Sequence, residues 1–143
     1  MTYRAPVEDY NFLFEHVVGL DRLRATERFG DATADVTRAI LTEAGKFCEE
    51  VMAPLQRVGD THPAMLENGV VRTPPGFREG YAAICEGGWV GMSADPEYGG
   101  MGLPMAVNAA VGEMMSGACI SLQLAPMLSQ GQIEALEHHA SDT

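Results

Sequence analysis

Apolar side chains recur at three- and four-residue steps along most of this chain, and hardly anywhere at the two-residue step of a strand. The longest such stripe is Val36, Ile40, Ala44, Phe47 and Val51, joined by Leu41 and Cys48, with Arg38, Glu43, Lys46, Glu49 and Glu50 mostly opposite. That spacing predicts an amphipathic helix over residues 34–53, one face in a core and Phe47 at the centre of that face. Thr33 or Asp35 can cap its start, and Pro54 should kink or end it. A shorter helix is expected over 8–18, where Phe12, Leu13, Val17 and Val18 form a patch that clasps the body. Residues 59–73, with Pro63, Asn68 and Gly69, read as irregular connection, Val70 and Val71 making a short extended piece. Pro74 and Pro75 then open a helix over 76–86 that buries Phe77, Tyr81, Ile84 and Cys85, and Gly87 and Gly88 stop it.

The last third is apolar on more than one side. Val107, Ala110, Val111, Met114 and Met115 repeat at helical spacing after Pro104, and Ile120, Leu122, Leu124 and Met127 mark a second helical stretch over 120–128. Helices of this kind must be covered on several faces, by their own domain or by another. The fold class that follows is all-α, a bundle of about five or six helices with no substantial sheet.

Residues 88–104 lie between these helices and gather Gly88, Gly91, Gly99, Gly100, Gly102, Pro96 and Pro104 around Trp89. Such a loop docks the next helix at a fixed angle. A Gly-Gly-x-Gly stretch ahead of a helix can also cradle a phosphate, since free N–H groups and the helix dipole attract anions. Against that, no strand precedes it, no Lys-Ser/Thr follows it, and its spacing is neither the dinucleotide fingerprint nor the P-loop.

At 143 residues the chain has the length of one domain. Nine Lys plus Arg face 20 Asp plus Glu, a formal charge of −11 that repels nucleic acid and anionic lipid headgroups. Neither is expected as a partner. Cys48, Cys85 and Cys119 are odd in number and widely spaced within apolar helical patterns, so buried, reduced thiols are expected rather than a disulfide framework. The N-terminus lacks a basic start followed by an apolar stretch, and no apolar run reaches the roughly eighteen residues of a membrane span. A cytoplasmic protein without a membrane span is the expectation.

The Gly-Trp of residues 88–89 and Pro96-Glu97-Tyr98-Gly99-Gly100-Met101-Gly102-Leu103-Pro104 resemble a stretch of the N-terminal helical domain of acyl-CoA dehydrogenases. Three further stretches agree, and together they resemble the large bacterial, 3-methylmercaptopropionyl-CoA dehydrogenase-like branch of that family. The first is Tyr3-Arg4-Ala5-Pro6-Val7-Glu8-Asp9-Tyr10-Asn11-Phe12-Leu13, within an extra N-terminal segment of residues 1–30. The second is Ile40-Leu41, Glu43-Ala44 and Lys46-Phe47 with Ala53-Pro54-Leu55 and Gly59-Asp60; the third is Gly69-Val70-Val71 running into Pro75-Gly76-Phe77.

The resemblance implies an N-terminal domain over 1–143 of an FAD-dependent enzyme that dehydrogenates an acyl-CoA thioester between its α and β carbons. A flavin-binding β domain and a C-terminal catalytic domain are absent from this sequence and expected beyond Thr143. FAD is therefore not expected to bind this chain alone. An electron-transfer partner and a homo-oligomer are implied for the full-length enzyme. The family's catalytic carboxylate belongs to the C-terminal domain, so no catalytic residue is assigned here.

Six of the nine methionines, Met92, Met101, Met105, Met114, Met115 and Met127, fall between the loop and residue 127. Methionine fills ordinary cores and equally suits a surface that accommodates flexible apolar ligands. The resemblance implies that the acyl chain lies against a helix of this region, and the face nominated for substrate binding is Leu122, Gln123, Pro126, Met127 and Gln130. Pro126 should break the helix and widen the groove. Gln123 and Gln130 can hydrogen-bond a polar acyl tail, although glutamines on a helix surface are ordinarily solvated.

Other candidates carry less. His138 and His139 point about 100° apart on a helix and have no third ligand at metal spacing. Glu113 on an apolar helix is a candidate base, or else pairs with a neighbouring helix. No Ser-His-Asp or Cys-His signature is present. Two functional classes remain: the N-terminal domain of an acyl-CoA dehydrogenase, or a stand-alone helical module for binding or self-association without catalysis.

Overall fold

The computed structural model describes residues 2–141, so the expected run onward past Thr143 lies outside the described residues. The chain starts as a strap. Tyr3 donates its hydroxyl to the Met114 carbonyl at 2.8 Å, and the Ala5 amide donates to Glu49 Oε1 at 3.0 Å. The strap lies close because glycines face it: a β-carbon at Gly45 would sit 2.7 Å from Val7, and one at Gly117 3.1 Å from the Tyr3 ring.

Helix α1 (Val7–Leu13) passes into a π turn (Phe14–Val18) that Gly19 closes in the left-handed conformation, φ 67°. The expected helix is there, but its inward face is not the expected one. Tyr10 and Phe14 are buried, whereas Phe12, Leu13, Val17 and Val18 face solvent, Val17 being 66% exposed. The helix has two apolar columns, and the one whose Tyr10 hydroxyl finds the Glu113 carboxylate is turned inward. The short helix α2 (Asp21–Arg24) and a 3-10 turn (Glu27–Phe29) then lead to α3 (Ala34–Phe47).

Thr33 caps α3 by accepting from the Val36 amide at 3.3 Å. The buried column is Thr37, Leu41, Ala44, Cys48 and Met52, about one residue round from the expected stripe. Val36 is exposed, and Phe47 is half-buried at the margin, its ring 5.9 Å from that of Trp89. Thr37 can be buried because its hydroxyl returns to the Thr33 carbonyl at 2.8 Å. Pro54 does not end the helix. A π turn (Cys48–Met52) just upstream widens the coil, accommodates the missing N–H, and leaves Pro54 in the first turn of α4 (Ala53–Thr61).

Residues 59–73 hold more order than expected. Strands β1 (Met65–Glu67) and β2 (Val70–Arg72) pair antiparallel, Leu66 opposite Val71, as an exposed hairpin. Its two-residue turn, Asn68 at φ 51° and Gly69 at φ 79°, is the Asn-Gly geometry whose twist matches paired strands. Helix α5 (Phe77–Glu86) buries Phe77, Gly80 and Ile84 but leaves Tyr81 and Cys85 outside, against expectation, since Gly80 is the residue that admits Leu55 and Leu122.

The largest element is α6 (Met105–His139), which packs on α3, α4 and α5. Its backbone leaves helical geometry at Cys119, φ −158° and ψ 86°, so it is two arms, 105–118 and 120–139. Asn108 Nδ2 and Gln130 Oε1 are 3.3 Å apart, whereas 22 residues of straight helix would separate them by about 33 Å. The arms therefore fold back on each other. Pro126 is not the break; it is buried inside the second arm, which continues to His139. Burial of Leu122, Gln123 and Pro126 on the inward face holds the helix through the lost N–H, while Leu124, Met127 and Leu128 on the other side are exposed. By length and composition α6 does reach the size of a membrane span, contrary to the sequence reading, with 44% of its most apolar window buried. The break at Cys119 and the packed first arm account for that apolarity as core.

Candidate functional site: a cleft between the arms of α6

The fold-back leaves a cleft of about 350 Å³ between the arms. Its walls are Val111, Gly112, Met115 and Ser116 from the first arm, Gln123, Pro126 and Met127 from the second, and Trp89 from the loop. Four of the five nominated residues, Gln123, Pro126, Met127 and Gln130, meet there. Leu122 does not: it is buried in the core, with Gly80 of α5 beneath it.

The two glutamines do different things. Gln130 is spent on structure: its Nε2 donates to the Val90 carbonyl, and its Oε1 accepts from Asn108 at 3.3 Å and from Ser93 at 3.5 Å. It latches both arms to the loop. Gln123 is only 7% exposed, and its Oε1 has no hydrogen-bond partner among the described residues. Buried polar atoms are nearly always paired, so this one stands out. Gly112 faces it from the first arm, where a β-carbon would lie 4.0 Å from Gln123 Nε2, an ordinary contact distance.

Sequence reading missed Trp89 as a wall because its setting marks it as a loop anchor; the side chain packs on Phe47 and faces the cleft. Asn108, Gly112 and Ser116 carry no sequence signal, because the fold-back that brings them opposite Gln123 depends on one non-helical residue. Glu113 borders the cleft and pairs with a neighbouring helix through Tyr10, whose phenol burial and that carboxylate hold well above the usual range. Burial, together with Cys48, Glu49 and Glu113, likewise pushes Tyr3 up to about 12.

The glycine-rich loop does not offer a phosphate cradle. The Gly99, Gly100, Met101, Gly102 and Leu103 amides donate to Pro96, Asp95, Gly91, Ala94 and Met92 carbonyls at 2.9 to 3.1 Å. With those N–H groups occupied and a charge of −11, the residues present do not fit the pyrophosphate of a dinucleotide. Among the described residues no three His, Cys, Asp or Glu side chains could share a metal, and His138 and His139 are exposed.

Residues 34–143 match the family model described as the N-terminal domain of acyl-CoA dehydrogenase. The chain is 42% identical over 142 residues to 3-methylmercaptopropionyl-CoA dehydrogenase of Ruegeria pomeroyi, covering 99% of this chain and 24% of that protein. It is 31% identical over 118 residues to a broad-specificity linear acyl-CoA dehydrogenase of Mycobacterium tuberculosis, covering 81% of this chain and 19% of the relative. Butyryl-CoA dehydrogenase of Syntrophomonas wolfei is 26% identical over 144 residues, covering 98% and 23%. The chain thus spans about a quarter or less of the length of these relatives.

Proposed function

The chain belongs to the acyl-CoA dehydrogenase N-terminal domain family, and from that premise we propose that its α6 cleft forms part of the acyl-binding wall of an acyl-CoA dehydrogenase. The observation that carries the reading is the cleft itself, where Trp89, Val111, Met115, Pro126 and Met127 give an apolar slot with a few polar groups, as small-ligand sites have. Its occupant is the acyl end of the thioester. The nucleotide end of CoA is an anion, and this domain is acidic.

The whole enzyme, on this reading, is a cytoplasmic, self-associating FAD enzyme that removes hydrogens from the α and β carbons of an acyl-CoA and passes electrons to a partner. On the same reading, FAD binding and proton abstraction fall to other parts of the enzyme. This chain's share is to hold the tail in register and to keep water from it. The relatives' names support a saturated or thioether-bearing tail.

Methyl-labelled methionine spectra of the purified chain test this. Adding butyryl-CoA should move Met115 and Met127, which line the cleft, and leave Met65 of the hairpin in place. FAD should neither bind tightly nor be reduced. Cleft methionines that stay still at millimolar butyryl-CoA would sink the reading, and micromolar FAD binding would overturn the division of parts.

A further inference from the structure

We propose, resting on the acyl-cleft reading above, that Tyr3 of the N-terminal strap is a positioning residue for the cleft: it fixes the last turn of the first arm of α6 from behind, and with it the angle at which the second arm returns. Tyr3 is not among the described residues that line the cleft. Its hydroxyl donates to the Met114 carbonyl at 2.8 Å, and its ring comes to 3.1 Å from where a β-carbon at Gly117 would stand. Met115 and Ser116, the two residues between those contacts, line the cleft. At about 100° per residue, Met114 and Gly117 lie on the side of the helix opposite Met115 and Ser116. One turn therefore carries the strap on one side and the acyl slot on the other, directly before the backbone leaves helical geometry at Cys119.

A helix bends where carbonyls on one side tilt outward to a donor and the hydrogen bonds there lengthen, and that side becomes convex. The Tyr3 hydroxyl is such a donor. It favours a bend with the strap on the convex side and the second arm folded toward the other, and the cleft between the arms lies on that concave side. The strap is itself held fast: the Ala5 amide donates to Glu49 Oε1 at 3.0 Å, and Val7 packs against Gly45 of α3. Tyr3 thus ties the bend of α6 to α3. Burial and the neighbouring Cys48, Glu49 and Glu113 push its phenol up to about 12, so the donor proton is present throughout the neutral range.

Tyr3→Phe removes the hydroxyl and keeps the ring, whereas Gly117→Ala crowds the ring from the helix side. Butyryl-CoA is titrated into the unsubstituted chain and both variants, each methyl-labelled at methionine, with urea unfolding to fix the amount of folded protein. The expected result is an affinity that falls about fivefold in each variant, the equivalent of one hydrogen bond. The Met127 methyl resonance should also be displaced in the ligand-free variants, while Met65 of the hairpin keeps its position. Met127 stands on the second arm, so a role confined to holding the strap down would not move it. If one variant does not fold, the other decides. Unchanged affinity with Met127 in place overturns the positioning role and leaves the acyl cleft standing. Butyryl-CoA that moves neither Met115 nor Met127 of the unsubstituted chain at millimolar concentration removes the cleft reading and the positioning role with it.

Discussion

Gln123 and Gln130 stand two turns apart on one helix, yet one is a latch and the other an unpaired acceptor, and their neighbours alone make the difference. The same holds along α3, where Leu41 is 0% exposed and Val36, with nearly the same chemistry, is 42% exposed. Leu41→Ala should therefore cost about 2 to 5 kcal/mol through lost burial and a cavity, and Val36→Ala within about 0.5 kcal/mol. Urea unfolding of the two variants checks this, and equal losses would mean that the buried column is wrongly assigned. Phe47→Ala, at the margin, should fall below the roughly 3 to 5 kcal/mol that a fully buried phenylalanine commands.

Cys48 adds a pH dependence at the same scale, since burial and then the Glu49 carboxylate push its thiol up to about 12 from 9.0. In the unfolded chain it ionises near 9.0, so above that pH the unfolded state holds fewer protons than the folded one. Its contribution is complete below pH 9.0 and is lost as pH climbs toward 12. Urea midpoints should fall with rising pH in that window, and fall less steeply in Cys48→Ala. Tyr3 supplies part of the remaining slope. Parallel slopes for the two proteins would remove Cys48 from the account.

Elements are shaped here by single backbone exceptions: a π turn before Pro54, an Asn-Gly turn at 68–69, a break at Cys119. The loop before α6 depends on another, Gly100, where a β-carbon would lie 2.1 Å from the Ala94 carbonyl oxygen. That contact is backbone on backbone, so no side chain can swing away, and Gly100→Ala must open the loop. The expected loss is about 1 to 3 kcal/mol, with a shifted emission of Trp89, the chain's one tryptophan. Gly131 lies in the second arm with nothing within 4 Å of its β-carbon position, and Gly131→Ala should be neutral or stabilising by up to about 1 kcal/mol. Denaturation followed by tryptophan fluorescence compares them, and Gly100→Ala as stable as Gly131→Ala would show that the loop tolerates what its geometry forbids.

For the whole molecule the balance lies between exposed apolar surface and charge. Phe12 on α1 with Val17 and Val18 on the π turn after it, and Leu124, Met127 and Leu128 on the second arm, are exposed, in patches that usually find a partner. A net charge of −11 opposes contact between copies, and salt screens it. Light scattering over a dilution series should show mass above the monomer that falls on dilution and rises with added salt. A strictly monomeric chain across both series would count against self-association.

Helical periodicity fixed the all-α class, the starts of α3 and α5, and the apolar character of α6, because a 3.6-residue repeat needs no knowledge of what lies opposite. The glycine-rich loop was legible as a family signature, since its residue types answer to local backbone geometry. Asn68-Gly69 is an equally local hairpin signal, but the strands beside it are three residues each and exposed, so no alternating pattern marks them along the chain. What periodicity could not give was rotation and return. Two adjacent apolar columns on α1 and on α3 look alike along the chain, and the buried one is chosen by partners that lie far off in sequence, such as Glu113 for α1 and Val7, packed at Gly45, for α3. The cleft depends on the same kind of information. Residues 108 and 130 meet because one backbone angle at Cys119 turns a helix back on itself. The apolar pattern did set a second helical stretch from residue 120, but the direction in which that arm returns is set by the packing of the two arms.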